Sequence, residues 1–214
     1  MDTGPIELDS AAMRVDPTPG QATETAHRLL DAAASLIWDR GIERLTTTDV
    51  AARARVSVGT VYRYFEDREA LIRTLYERNV MRMRDALVDA AVTSHGSLAA
   101  DVRALLDTYV RMHRTIPAYQ PVRAWQWLLP EARADRAIAV EAAARDLVAV
   151  LAPRHGVVLT PARRTELVAA IQRTDAIVLA AFLDDPGMDD EAIAQLGAIV
   201  ESMLTQAIRE AIEG

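Results

Sequence analysis

The sequence contains no cysteine, which excludes disulfide bridges and thiolate metal ligands. It contains no lysine either, so all 24 basic residues are arginine. Aromatic residues make up only 5% of the chain. No apolar run approaches the roughly 18 residues that a membrane-spanning helix needs. The amino end carries Asp2 and Glu7 where a secretory signal would be basic, and no apolar stretch follows them. These absences lead to the expectation of a cytoplasmic protein with no membrane segment.

Catalytic signatures are absent as well. His27, His95, His113 and His155 are dispersed, without the i, i+4 spacing of a helical metal pair. There is no glycine-rich phosphate loop and no nucleophile elbow. The acidic run from Asp184 to Glu191 lacks the alternating ligand order of a calcium loop. It reads as a solvated turn in which Asp189 or Asp190 caps the last helix. No catalytic residue, metal or cofactor is expected, and the protein is not expected to be an enzyme.

What is present is a chain of 214 residues, half of it apolar and 26% charged, the balance of a globular protein. The net charge of −7 argues against a surface coated for non-specific nucleic-acid binding. Its distribution is uneven: residues 1–21 carry a net −3, residues 22–80 balance nine bases against nine acids, and the remainder carries −4. Residues 1–21, with Gly4, Pro5, Pro17, Pro19 and Gly20, show no sustained period and read as a disordered tail. Beyond them a 3.6-residue period dominates and no strand alternation appears. The expected fold class is all-α, with about nine helices. The expected organisation is a DNA-binding unit over residues 22–70 and a second helical domain over 71–214.

Thr46-Thr47-Thr48-Asp49 fits a capping box that opens a short helix with Val50, Ala51 and Ala54 on its apolar face. After Arg55-Val56, Ser57 is a second good cap. It opens a helix through Val58-Gly59-Thr60-Val61-Tyr62-Arg63-Tyr64-Phe65. Two short helices joined by three or four residues form a helix-turn-helix, whose second helix enters the major groove of DNA. The composition suits that task. Val58, Gly59 and Thr60 make a narrow leading edge, although a helical glycine costs about 1 kcal/mol against alanine. The hydroxyls of Thr47, Thr60, Tyr62 and Tyr64 can donate to phosphate oxygens, which fixes register without reading sequence. Free N–H groups at the helix starts add affinity for anions. Val61 and Phe65, four apart, point inward.

Between residues 24 and 72 these features resemble the TetR family of bacterial transcriptional regulators. The resemblance rests on Gly41 closing the first helix, the Thr-x-x-Asp start, Val50-Ala51, Ala54, Val56-Ser57, Gly59-Thr60, Tyr62, Phe65 and Glu69-x-Leu71. It implies a homodimer with a three-helix DNA-binding unit followed by a helical ligand-binding and dimerisation domain. Carried over by position, Thr46, Thr47, Thr60, Tyr62, Tyr64 and Arg68 would contact the DNA backbone. Thr48, Ser57, Val58, Gly59 and Arg63 would face the bases or lie beside them. Arginine can bond guanine O6 and N7 in a bidentate way, so Arg63 is a candidate for direct readout, with a phosphate contact as the alternative. The chain departs from the family where Arg55 stands in place of the usual turn glycine. Either the turn takes another geometry, or Arg55 accepts strain and gains a phosphate contact.

In the C-terminal half, Val168, Ile171, Asp175, Val178 and Phe182 recur at helical spacing, as do Ile193, Leu196, Val200, Met203 and Ala207. Two successive helices with such seams form an antiparallel pair. Paired with a second copy, they give a four-helix dimer interface through the eighth and ninth helices. A small-molecule site needs apolar walls and a few polar groups. Tyr109, Met112, His113, Tyr119, Trp125, Trp127, Gln172 and Asp175 are the candidates for it. The implied function is a transcriptional regulator, a repressor that binds a near-palindromic duplex operator as a dimer and is released by a small-molecule effector. The alternative is a helical small-molecule-binding protein or sensor without DNA-binding activity.

Overall fold

The computed structural model of the protein describes residues 21–129, 133–156, 158, 160–185 and 188–213. Of the tail expected over residues 1–21, residues 1–20 lie outside the described residues, as does the turn at Pro186-Gly187, while Gln21 is the first residue of a helix. Within them the chain is all-α. Its helices are α1 (Gln21–Arg40), α2 (Thr47–Ala54), α3 (Val58–Tyr64), α4 (Arg68–Thr93), α5 (Leu98–Thr115), α6 (Tyr119–Leu128), α7 (Arg133–Arg154), α8 (Pro161–Asp184) and α9 (Asp190–Glu213). A single 3-10 turn, Ile42–Arg44, joins α1 to α2. No helix among the described residues is long and apolar enough to cross a membrane.

Local chemistry sets the boundaries. Thr46 caps α2 by accepting from Asp49 N at 3.1 Å, and Ser57 caps α3 by accepting from Thr60 N at 3.1 Å. Asp67 caps α4 through Ala70 N, and Asp189 caps α9 through Ala192 N. Thr160 caps α8, with Pro161 at its first position, where the missing N–H costs nothing. The sequence pattern stops α7 before Pro153, but the helix carries on to Arg154 with Pro153 inside its last turn.

The chain divides into two compact units. The first takes in residues up to Arg82 together with Ile116–Leu129. Leu29, Leu30 and Ile37 of α1 form its centre with Val50 and Ala51 of α2, Val61 and Phe65 around α3, and Leu71 and Leu75 of α4. Ala118 and Val122 complete it from the segment carrying α6. Trp38, beside Ile37 on α1, does not join this core. It is 67% exposed, because Ile37 already occupies the inward position and the next residue is turned about 100° away. Arg78 is fully buried beside that core and donates to Asp31 Oδ1 at 2.8 Å. Burial and the nearby Arg82 charge lower its pKa to about 10, so it remains a cation at neutral pH.

The second unit comprises Met83–Thr115 and Pro130–Gly214. Val102, Leu106 and Val110 of α5 pack there with Val178 and Phe182 of α8 and with Leu196 and Val200 of α9. The junction of α4 and α5 is held by Asp101, whose carboxylate is fully buried. It accepts from Ser94 Oγ at 2.5 Å, Gly96 N at 3.2 Å and Arg154 Nη1 at 3.2 Å, and lies 2.7 Å from His155 Nε2. Arg154 also donates to the carbonyls of Ala91 and Ser94, placing a cation at the carboxyl end of α4, where the helix dipole favours it. Gly96 is required here by contact: a Cβ would lie 2.6 Å from Ala100 Cβ.

Candidate nucleic-acid interface

The turn between α2 and α3 is a Schellman motif. Val56 N donates to Ala51 O at 3.0 Å and Arg55 N to Ala52 O at 3.2 Å. Arg55 therefore sits at φ 57°, ψ 46°, the left-handed conformation that glycine takes freely. A residue with a Cβ pays about 1–2 kcal/mol for it. Of the two alternatives open in the sequence, the strained one holds, and α3 begins at Val58 directly after the Arg55–Ser57 turn.

Val61 is fully buried and fixes α3 on the core, with fully buried Phe65 seating its C-terminal end. This leaves the opposite face outward, with Val58 36% and Tyr62 44% exposed. Thr47 Oγ1 and Tyr62 Oη lie 3.3 Å apart, so the start of α2 and the outer face of α3 form one continuous hydroxyl surface. Thr60 Oγ1 lies 2.9 Å from Ser57 Oγ at the leading end of α3. Thr48, Ser57 and Gly59 are exposed. A Cβ on Gly59 would meet nothing closer than Ser57 Oγ at 3.8 Å, so packing within the chain does not call for glycine there. Arg63 is exposed, with its guanidinium 5.2 Å from the Tyr64 ring centroid.

Three of the residues assigned to DNA sit differently from expectation. Tyr64 is 3% exposed and packs in the core beside Phe65, since three residues after Val61 it shares the inward stripe. Its ring is a packing element, and the exposed hydroxyl assigned to it is corrected accordingly. Arg68 spends its guanidinium on Leu45 O at 3.0 Å and Ile42 O at 2.6 Å, so it holds the α1–α2 connection. Thr46 donates its hydroxyl to Asp49 at 2.8 Å while accepting from the same residue's N–H, which commits it to the cap. The sequence reading also passed over Arg53. Its guanidinium bonds Ser35 Oγ at 2.5 Å and Asp39 Oδ2 at 3.0 Å, fastening α2 to α1. Nothing local signals that pairing, because the partners lie 18 and 14 residues away.

The small-molecule candidates fall into two groups. Tyr119, Trp125 and Trp127 belong to the first unit, where Tyr119 is buried and Trp125 packs against the first core. Tyr109, Met112, His113, Gln172 and Asp175 belong to the second. There Tyr109 Oη donates to Asp175. His113 is buried, meets the Tyr109 ring edge-on at 4.7 Å and stacks on Phe182 at 5.0 Å. Met112 and Gln172 are half-buried. A separate open cavity of about 600 Å³ lies between α5 and α9, floored by Leu106, Val110, Ile193 and Gly197. No feature of the sequence pattern pointed to it.

These elements define a helix-turn-helix unit joined to a second helical unit. Residues 29–75 match the family model described as "Bacterial regulatory proteins, tetR family". The HTH-type transcriptional repressor BepR of Brucella suis is 30% identical over 78 residues, a match covering 36% of this chain and 37% of that one. The matched segment thus spans just over a third of that relative's length. A TetR-family transcriptional regulator from Streptomyces coelicolor superposes with a TM-score of 0.66 at 25% identity, over 86% of this chain and 97% of the other. SmeT, the repressor of a multidrug efflux pump in Stenotrophomonas maltophilia, shares the fold with a TM-score of 0.60 at 16% identity, over 88% and 90%.

Proposed function

We propose that the protein is a transcriptional repressor that binds a near-palindromic duplex operator as a homodimer and is released by a small molecule. The observation that carries this reading is the outward face of α3. It presents Val58, Gly59, Thr60, Tyr62 and Arg63 away from the core, continuous with Thr47 at the start of α2. Hydroxyls positioned this way suit phosphate oxygens, and an exposed arginine suits a guanine edge. Fluorescence anisotropy with duplexes from upstream of the protein's own reading frame tests it. Binding that weakens steeply between 50 and 200 mM salt supports the reading, since phosphate contacts release counterions.

Two side chains on this face have separable roles. Tyr62→Phe is expected to weaken binding to operator and random duplex by the same factor, because a phosphate contact carries no sequence information. Arg63→Ala is expected to lose about 1–3 kcal/mol of discrimination at one base position while retaining most non-specific affinity. Equal losses on both duplexes for Arg63→Ala would remove it from direct readout.

The dimer reading rests on α8 and α9. Leu183 is 46% and Ile199 57% exposed on helices whose other faces are committed to the second core. Ile199→Glu is expected to shift the protein from dimer to monomer in sedimentation velocity. A dimer unchanged by that charge would move the interface elsewhere. For the effector, the Tyr109–His113–Phe182 aromatic group with the Asp175 carboxylate combines apolar surface and a few polar tips, as small-molecule sites do. SmeT, which shares the fold, forms a complex with triclosan.

A further inference from the structure

We infer that Arg55, whose strained turn position left a phosphate contact open, is an additional DNA contact whose guanidinium pairs with a backbone phosphate. The inference rests on the proposed DNA-binding function. Arg55 occupies a left-handed position, φ 57° and ψ 46°, which a glycine would adopt without strain. The fold gains nothing visible from the side chain. Arg55 is exposed, and among the described residues only its backbone N–H is bonded, the guanidinium having no partner. The other charges of α2 are spent: Asp49 accepts from Thr46, and Arg53 is paired with Asp39.

Position supplies the second argument. Thr48, Ala52 and Arg55 follow one another at spacings of four and three, and all three are exposed. That spacing follows the outward stripe of α2 that begins at Thr48, and Arg55 is the capping residue that closes it. Seven residues at the helical rise put Arg55 about 10 Å along this stripe from Thr48. An arginine held there, unpaired and beside Val56 and the Ser57 cap, offers five donors to a phosphate. Strained non-glycine backbone concentrates where function demands the side chain.

Three variants test this on a fluorescein-labelled mixed-sequence 30-base-pair duplex, with salt titrated from 50 to 200 mM. Arg55→Gln removes the charge and keeps the backbone strain. Arg55→Gly removes both, and Arg55→Lys keeps the charge. Arg55→Gln and Arg55→Gly are each expected to bind about five- to tenfold more weakly. Their slope of log affinity against log salt should be shallower by about 0.9, the value of one phosphate contact. Arg55→Lys should keep the wild-type slope. Arg55→Gly should also unfold at a higher temperature than wild type, so that stability and affinity move in opposite directions. Wild-type affinity and slope in Arg55→Gln, beside a wild-type protein that binds the duplex, would overturn the assignment of Arg55 alone. A wild-type protein that binds no duplex at any salt would overturn the DNA-binding reading and the Arg55 contact with it.

Discussion

Phe65→Ala is expected to destabilise the first unit by about 3–5 kcal/mol and to abolish DNA binding at temperatures where the wild type binds. Phe65 is fully buried at the carboxyl end of α3, in the cluster formed by Leu29, Leu30, Ile37, Val50, Val61 and Leu71. Its ring is the last fixture of α3 before the chain turns into α4. Removing it takes away transfer free energy and leaves a cavity where α3 is seated. A seven-residue helix is too short to persist without that packing. Chemical denaturation followed by circular dichroism reads the stability loss, and anisotropy with labelled duplex reads the binding. A variant that loses little stability and still binds DNA would mean that α3 is held by something other than this core.

Asp101→Ala carries the second large effect, a loss of about 3 kcal/mol, with a change in acid sensitivity that identifies its cause. Burial by itself raises the pKa of this carboxylate. The hydrogen bonds from Ser94, His155, Gly96 N–H and Arg154 outweigh it and hold the pKa well below the usual carboxylate range. The folded state therefore binds a proton at Asp101 less readily than the unfolded chain does. The resulting stability is fully present above about pH 5 and is lost as pH falls through the unfolded value toward the folded one. Wild-type protein should lose stability between about pH 5 and pH 2 more steeply than Asp101→Asn, which has no proton to take up there. Parallel curves for the two proteins would show that the network contributes no pH-dependent stability.

The helix-turn-helix was readable from sequence because its signals are local. Thr46 and Ser57 cap the helices that follow them, and Val61 and Phe65 point inward by periodicity, whereas the turn at Arg55 was left open between two geometries until the structure showed it left-handed. Tyr64 and Arg68 were misread for a tertiary reason. Whether a tyrosine or an arginine faces solvent depends on which neighbours reach it, and the carbonyls that hold Arg68 come from residues 23 and 26 positions earlier. The Asp101 cluster was invisible for the same reason, since Arg154 and His155 lie 53 and 54 residues away. Among the effector candidates, helical spacing put Tyr109 and His113 on one stripe. No one-dimensional pattern could report that Tyr119, Trp125 and Trp127 belong to the other unit. The cavity between α5 and α9 is equally a product of packing.

The central claim is that the outward face of α2 and α3 reads duplex DNA in twofold-related copies. Selection of tight-binding duplexes from a randomised pool by the purified full-length protein tests it most directly. The account predicts enrichment of an inverted repeat whose half-sites are centred about one helical turn, roughly 10 base pairs, apart or a multiple of it. Arg63→Ala should relax the preference at one position within each half-site. Enrichment of no sequence over the starting pool, or of a single unrepeated site bound by one protomer, would contradict it.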